Sequence, residues 1–236
     1  MDFTKFFELL NSKELFFSRP DKFDDVFEGS LTLPTSKYLD TFLIGKSRKQ
    51  ISEFIQSFRN IIGINCWHMN EVESAAMWQL YLKNSLGVAV QSTFDRLSGA
   101  FHKADQDVFL SIVNYVDYET YKFKIDHTEK NATFNFYDPF IHKRNSFSHE
   151  NELRAIVLNN KKPEDKYTGP LVKDIHEKHE VDEGIKIKVD FDQLIENIYI
   201  APNSPQWFKE LVSQTIELFG LHFNIKASKL EEIPKF

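Results

Sequence analysis

Three observations predict an α+β fold, a single domain over 1–236 with a mixed, mostly antiparallel sheet and flanking helices. Helical and strand-like segments intermingle without the regular strand–helix–strand rhythm of a doubly wound parallel sheet. Apolar residues recur with a helical period at 51–62 and 208–219, but with period two or as short runs at 150–158 and 195–200. A length of 236 residues, 42% hydrophobic and 27% charged, suffices to bury a substantial core.

The elements follow in order. Phe3, Phe6, Phe7, Leu9 and Leu10 make residues 2–10 a short amphipathic helix. Glu14–Ser18 reads as a strand closed by Pro20, and 21–29 as an acidic turn or helical loop. A continuous face of Ile51, Phe54, Ile55, Phe58, Ile61 and Ile62 predicts a helix over 47–62, with Gly63 at its C-terminal end. A short strand at 64–67 precedes a helix at 73–83, and strands are expected at 87–92 and 108–116. The aromatic-rich stretch 117–143 fits either a helix or an irregular patch. The charged segment 150–158 reads as a strand. Residues 159–184 form the main polar excursion, read as an insertion loop with a short helix near 172–179. Alternation predicts strands at 185–191 and 195–200. Ser204 as N-cap and Pro205 at the first helical position open a helix that stops at Gly220, and 222–227 would be the last strand.

Bulk composition excludes some functions. The net charge of −6 gives no global attraction to phosphate backbones, so bulk nucleic-acid binding is disfavoured. No apolar run approaches the roughly 20 residues of a membrane helix, and the N-terminus lacks a secretory pattern. One cysteine, Cys66, allows no internal disulfide. These features together point to a cytoplasmic protein. The 23 phenylalanines belong mostly to the core.

The most chemically loaded stretch runs from Lys143 to Arg154 and enters the apolar run Ala155-Ile156-Val157-Leu158. On an extended strand Glu150, Glu152 and Arg154 share one face, with Leu153, Ala155 and Val157 on the other. Three ionised groups in a row either pair with other charges at a sheet edge or line a cleft.

Four segments together resemble a known family: Leu15-Phe-Phe-Ser-Arg-Pro-Asp-Lys-Phe-Asp24-Asp25-Val-Phe27-Glu28-Gly29, then Cys66-Trp-His, then Met77-Trp78-Gln-Leu-Tyr81 with Gly87-Val, and Phe147-Ser-His-Glu150-Asn-Glu152-Leu-Arg154. Their order and spacing are similar to the prokaryotic domain-of-unknown-function family numbered twenty-nine seventy-one. This chain has Asp24 where that family usually has Asn, and Val26 where it usually has Pro. A second likeness is to ADP-ribosyltransferases, with an early strand ending in arginine, a middle aromatic position and a late Glu-x-Glu. That likeness implies an enzyme cleaving NAD as its substrate, in a prokaryotic defence or toxin setting. Arg19 would hold the phosphates, and Trp78 or Tyr81 would pack on nicotinamide. Glu152 would stabilise the ribosyl cation, with Glu150 orienting the acceptor and Arg154 completing a small-nucleotide site. The middle strand of that superfamily often carries Ser-Thr-Ser, whereas only Ser92-Thr93 stands here.

Each residue also has a plainer role. Glu150, Glu152 and Arg154 can form a cross-strand charge ladder in a non-catalytic sensor or partner-binding domain. Arg19 can neutralise Asp21, Asp24, Asp25 or Glu28. Those loop acids can ligate a hard cation, cap a helical turn, or bind Arg19 or Arg154. Trp78 and Tyr81 can be core. Cys66 and His68 share a strand face, either as a nucleophile–base pair or, with the thiol inert, as packing. His176 and His179 sit in a polar loop without a third zinc ligand.

Overall fold

In the computed structural model the described residues are 1–42, 56–82, 86–127, 132–159 and 183–234. Residues 160–182 of the polar insertion, including the expected short helix at 172–179, lie outside them, as does 47–55 of the expected second helix.

The described strands are β1 (Glu14–Ser18), β2 (Ile62–His68), β3 (Val88–Gln91), β4 (Val108–Ile112), β5 (Asn114–Val116) and β6 (Ile125–His127), followed by β7 (Ala132–Phe134), β8 (His142–Arg144), β9 (Glu152–Leu158), β10 (Gly184–Lys188), β11 (Asn197–Ile200) and β12 (Asn224–Ala227). The described helices are α1 (Phe3–Ser12), α2 (Leu33–Phe42), α3 (Ala75–Tyr81), α4 (Phe94–Ala100), α5 (Asp138–Ile141), α6 (Phe191–Leu194) and α7 (Gln206–Leu218). The class is α+β, with a mostly antiparallel sheet and flanking helices, as the residue pattern predicts. None of the described helices is long and apolar enough to cross a membrane.

Within 1–236 the chain packs as two compact units. One comprises Met1–Leu15, Asn70–Asp105 and Lys186–Phe236, the other Phe16–Met69 and Gln106–Ile185. In the first, β11 is the middle of a three-stranded sheet, parallel to β12 and antiparallel to β3. The helix α1 starts where the Asp2 carboxylate accepts from the Lys5 amide at 2.9 Å, and it buries Phe6, Leu9 and Leu10. Phe3 meets Phe208 of α7 edge to face at 5.7 Å, while α7 buries Phe208, Val212, Thr215 and Ile216. The start of α7 departs from expectation. Pro205 occupies the N-cap, and Ser204 instead donates its hydroxyl to the Ala201 carbonyl at 2.7 Å. The stop at Gly220 is as expected, with φ +66°.

In the second unit β9 is an interior strand. The five-stranded sheet has the order β10-β1-β2-β9-β4, and β9 pairs antiparallel with both neighbours. His68 lies opposite Glu152 and Cys66 opposite Arg154 in the β2 register. Ile62, Ile64, Ile156, Phe140 and Ile141 form a core cluster, with Phe58, Phe136 and Tyr137 packed on it. Phe136, Tyr137 and Phe140 of the aromatic stretch therefore contribute to this core.

Several boundaries differ from the sequence reading. The helix expected to reach Ile62 ends before it: Ile62 pairs with Leu158 and Gly63 with Val157 inside β2. Phe191 begins α6, because the Asp190 carboxylate accepts from the Gln193 amide and caps a helical turn. The helices α2 and α4 had no strong periodic signal. Thr93 caps α4 by accepting from the Arg96 amide.

Gly63 sits where a side chain has no room. A Cβ there would lie 2.8 Å from the Phe17 Cβ and 3.2 Å from the Phe17 carbonyl oxygen. Gly63→Ala is therefore expected to cost about 1–3 kcal/mol by forcing β1 and β2 apart, measured as a lowered urea midpoint. An unchanged midpoint would contradict this close approach.

Candidate functional site

The candidate site begins with β9. Its side chains alternate as expected, but six of its seven residues are buried, so both faces are interior. Only Glu152 and Arg154 of the three charged residues lie on the strand. Glu150 ends a 3-10 turn, Asn145–Glu150, and Asn151 at φ 41° redirects the chain before β9 begins. The expected run of three charges on one strand face, at an edge or a cleft, is thus corrected. Two of them enter the core on a central strand, and the third approaches from a turn.

Arg154 is 0% exposed, and its guanidinium donates four described hydrogen bonds. Nη1 and Nη2 both donate to the Glu28 carboxylate, Nη1 also donates to the Phe140 carbonyl at 2.8 Å, and Nε donates to Glu152 Oε2 at 2.6 Å. Burial alone would lower its pKa, but the Glu28 and Glu152 carboxylates outweigh that and raise it. Glu28 is 2% exposed, so the bidentate pair is removed from solvent.

Glu152, 4% exposed, is equally committed. Its Oε1 accepts from Lys143 Nζ at 2.8 Å while Oε2 holds Arg154. Its main-chain N–H donates to the Tyr115 hydroxyl at 2.9 Å. Burial works against its ionised form, but Glu150, Arg154 and Lys143 hold its carboxyl well below the ordinary range. Lys143 also donates to Glu150, so one ammonium bridges the two acids. Burial, reinforced by the hydrogen bond with Glu152, pushes the Glu150 carboxyl up to about 7.

The acidic loop supplies counter-charges. Asp25 accepts from the Arg144 guanidinium at 2.5 Å, Glu28 takes Arg154, and Asp24 is exposed. Of the roles open to this loop, binding Arg154 is the one that Glu28 performs. Among the described residues no group of three or more histidine, cysteine or carboxylate side chains is arranged to hold a metal ion.

Arg19 does not join this chain of charges by any bond described. Its Nε and Nη2 form a fork on Asp21 at 2.8 Å, and Nη2 also donates to Asn60 Oδ1 at 2.8 Å. Burial raises the Asp21 pKa, but the Arg19 bonds and charge leave it lowered. Trp78 and Tyr81 belong to α3, in the other compact unit. Trp78 donates from Nε1 to Glu73 at 3.2 Å, and Tyr81 is 59% exposed. Cys66 and His68 do not meet as a nucleophile and base. Burial pushes the thiol well above its usual range, and His68 Nδ1 lies 2.6 Å from the Glu150 carbonyl oxygen.

Sequence reasoning missed Lys143, Arg144 and Tyr115 as members of the cluster. The basic pair Lys143-Arg144 was visible at the head of the charged stretch. Its position on a separate strand, β8, parallel to β5, was not.

Removing one buried partner leaves the other charge stranded. Glu28→Gln is expected to destabilise the fold by about 3–5 kcal/mol, whereas Asp24→Asn should stay within about 0.5 kcal/mol, both read by chemical denaturation. Equal effects of the two substitutions would refute the assignment of Glu28 to Arg154. No family model, no curated protein and no solved structure matches this chain.

Proposed function

We propose that this chain is a non-catalytic sensor or partner-binding domain, in which Glu152 and Arg154 hold the fold together instead of acting on a ligand. One observation carries the reading: both oxygens of Glu152 are taken, by Lys143 and by Arg154, beneath packed side chains. A carboxylate accelerates glycosidic cleavage only if it interacts more strongly with the developing ribosyl cation than with the ground state. Glu152 already meets two fixed cations in the ground state, which favours a structural role.

The partner-binding side of the reading draws on α3. This helix carries Ala75, Ala76, Met77, Trp78, Leu80 and Tyr81 and buries none of them, with Leu80 57% exposed. Exposed apolar helix faces commonly serve recognition. A cytoplasmic setting and membership of the domain-of-unknown-function family named above are parts of the same proposal, supported by composition and by the four quoted segments.

A second reading, NAD cleavage with NAD as substrate, is favoured by one feature. The Glu150 carboxyl, 13% exposed at the end of its turn and pushed up to about 7, exchanges its proton near neutrality. In that case Glu150, not Glu152, would be the acid–base group, and a small nucleotide the ligand.

Incubating the purified chain with NAD and following nicotinamide release by chromatography separates the two. The expected outcome is no release above a protein-free blank, with Glu152→Gln lowering the thermal midpoint in step with a loss of about 3–5 kcal/mol. Release by the wild-type chain that Glu150→Gln abolishes, at an unchanged midpoint, would overturn the non-catalytic reading.

A further inference from the structure

The cluster around Lys143 contains more carboxylates than its cations balance. Two buried cations, Lys143 and Arg154, face three carboxylates, Glu28, Glu150 and Glu152. The neighbouring ions are engaged elsewhere: Arg144 with Asp25, Arg19 with Asp21, and Arg59 with Ser30 Oγ and the Gly29 carbonyl. Arg59 also faces Glu28, but the hydrogen bonds described for it go to Ser30 and Gly29 and none to Glu150 or Glu152. Arg154 is divided between Glu28 and Glu152, so among the described ion pairs Glu150 has Lys143 alone, an ammonium it shares with Glu152.

We infer that Glu150 and Glu152 together bind one exchangeable proton between their carboxyls, and that its release loosens the turn Asn145–Glu150 from β8 and β9. The inference stands on the cluster and holds under either reading of function. Glu152 is the fixed member, since Lys143 and Arg154 occupy both of its oxygens. Glu150 is the movable one, since it sits at the end of a turn and has the more exposed side chain, 13% against 5%. A hydrogen bond between the two acids requires the proton to sit on Glu150, the carboxyl without an arginine partner. Once that proton leaves, two anions compete for one ammonium, and like charges meeting at one cation repel.

The groups facing Glu150 come from four strands. Lys143 approaches from β8, Glu152 from β9 and Tyr115 from β5, while His68 of β2 meets its main-chain carbonyl. The turn is held further by Phe147, whose ring lies 4.7 Å from Lys143 Nζ and 5.3 Å from the Arg144 guanidinium carbon. When Glu150 swings toward solvent, Lys143 stays with Glu152, and Phe147 loses one of the contacts that dock its turn.

The sign of the pH dependence follows from the raised Glu150 pKa. Between the ordinary carboxylate range and about 7 the folded chain keeps a proton that the unfolded chain has lost, so stability falls as pH rises through that window. Glu152 has the opposite sign and loses its contribution only in acid, below the ordinary range.

Carboxyl carbon shifts of the intact 13C-labelled chain, followed from pH 4 to 9, test the proton directly, and hydrogen exchange of the peptide 143–152 tests the loosening. The expected result is one glutamate carboxyl titrating near neutrality, absent in Glu150→Gln but kept in His68→Gln. Protection of 143–152, corrected for intrinsic exchange, should fall about tenfold from pH 6 to 8, while the rest of β9 holds. A wild-type spectrum with no glutamate titrating above pH 6 would overturn the proton site, whether or not the variants fold. Protection of 143–152 that merely follows the whole chain would overturn the loosening.

Discussion

The ion pair between Arg154 and Glu28 is the constraint on which the second compact unit is built. A guanidinium on a central strand, 0% exposed, has lost its water and must recover that cost from fixed partners. The partners come from distant stretches of chain: Glu28 lies 126 residues away, and the Phe140 carbonyl 14. The acidic loop, α5 and β9 must therefore all be in place before the charge is satisfied. Unlike an apolar contact, which tolerates sliding, the planar fork accepts a carboxylate in one orientation.

Around that pair the other ions fall into a graded series. Lys143 ties β8 to Glu152 and to the turn that ends at Glu150, so the network spans β8, β9 and the acidic loop. Arg144, next along β8, reaches Asp25 and lies 4.4 Å over the Phe27 ring, fixing the same loop from its other side. Phe27 in turn meets Tyr118 edge to face at 5.9 Å, and Tyr118 donates its hydroxyl to the His142 carbonyl at 2.9 Å. Burial, with the nearby Glu28 charge, keeps that phenol well above its ordinary range and so a hydrogen-bond donor at any physiological pH. Charge, aromatic packing and a buried hydroxyl thus act on one loop together.

Much of the fold was legible because hydrophobic periodicity reports burial directly. The elements α1, β1 and α7 each carry one clean period that decides between helix and strand, whereas β9, buried on both faces, was legible as a short apolar run. Where structure depends on local hydrogen bonds, periodicity says little. Helix α6 exists because Asp190 accepts from the Gln193 amide, a bond that overrides the apparent strand continuing through Phe191. The helix drawn through Ile62 failed for the opposite reason, because pairing with Leu158 recruits β-branched residues into β2. At the site, alternation placed Glu152 and Arg154 on one face correctly. It could not register the positive φ of Asn151, which takes Glu150 off the strand.

What periodicity cannot supply is the identity of a counter-charge. The spacing of Glu150, Glu152 and Arg154 is the same whether the face they share lines a cleft or enters a core. Only the groups that reach those oxygens distinguish the cases, and Lys143 and Glu28 arrive through tertiary structure. A carboxylate held by two cations contributes rigidity, because moving it would break its ion pairs with Lys143 and with Arg154 at once. A carboxylate sharing one cation with a neighbour contributes responsiveness, because one proton decides whether it stays. Glu152 and Glu150 stand two residues apart, yet the turn between them assigns one to each role, and that division follows from where β9 begins.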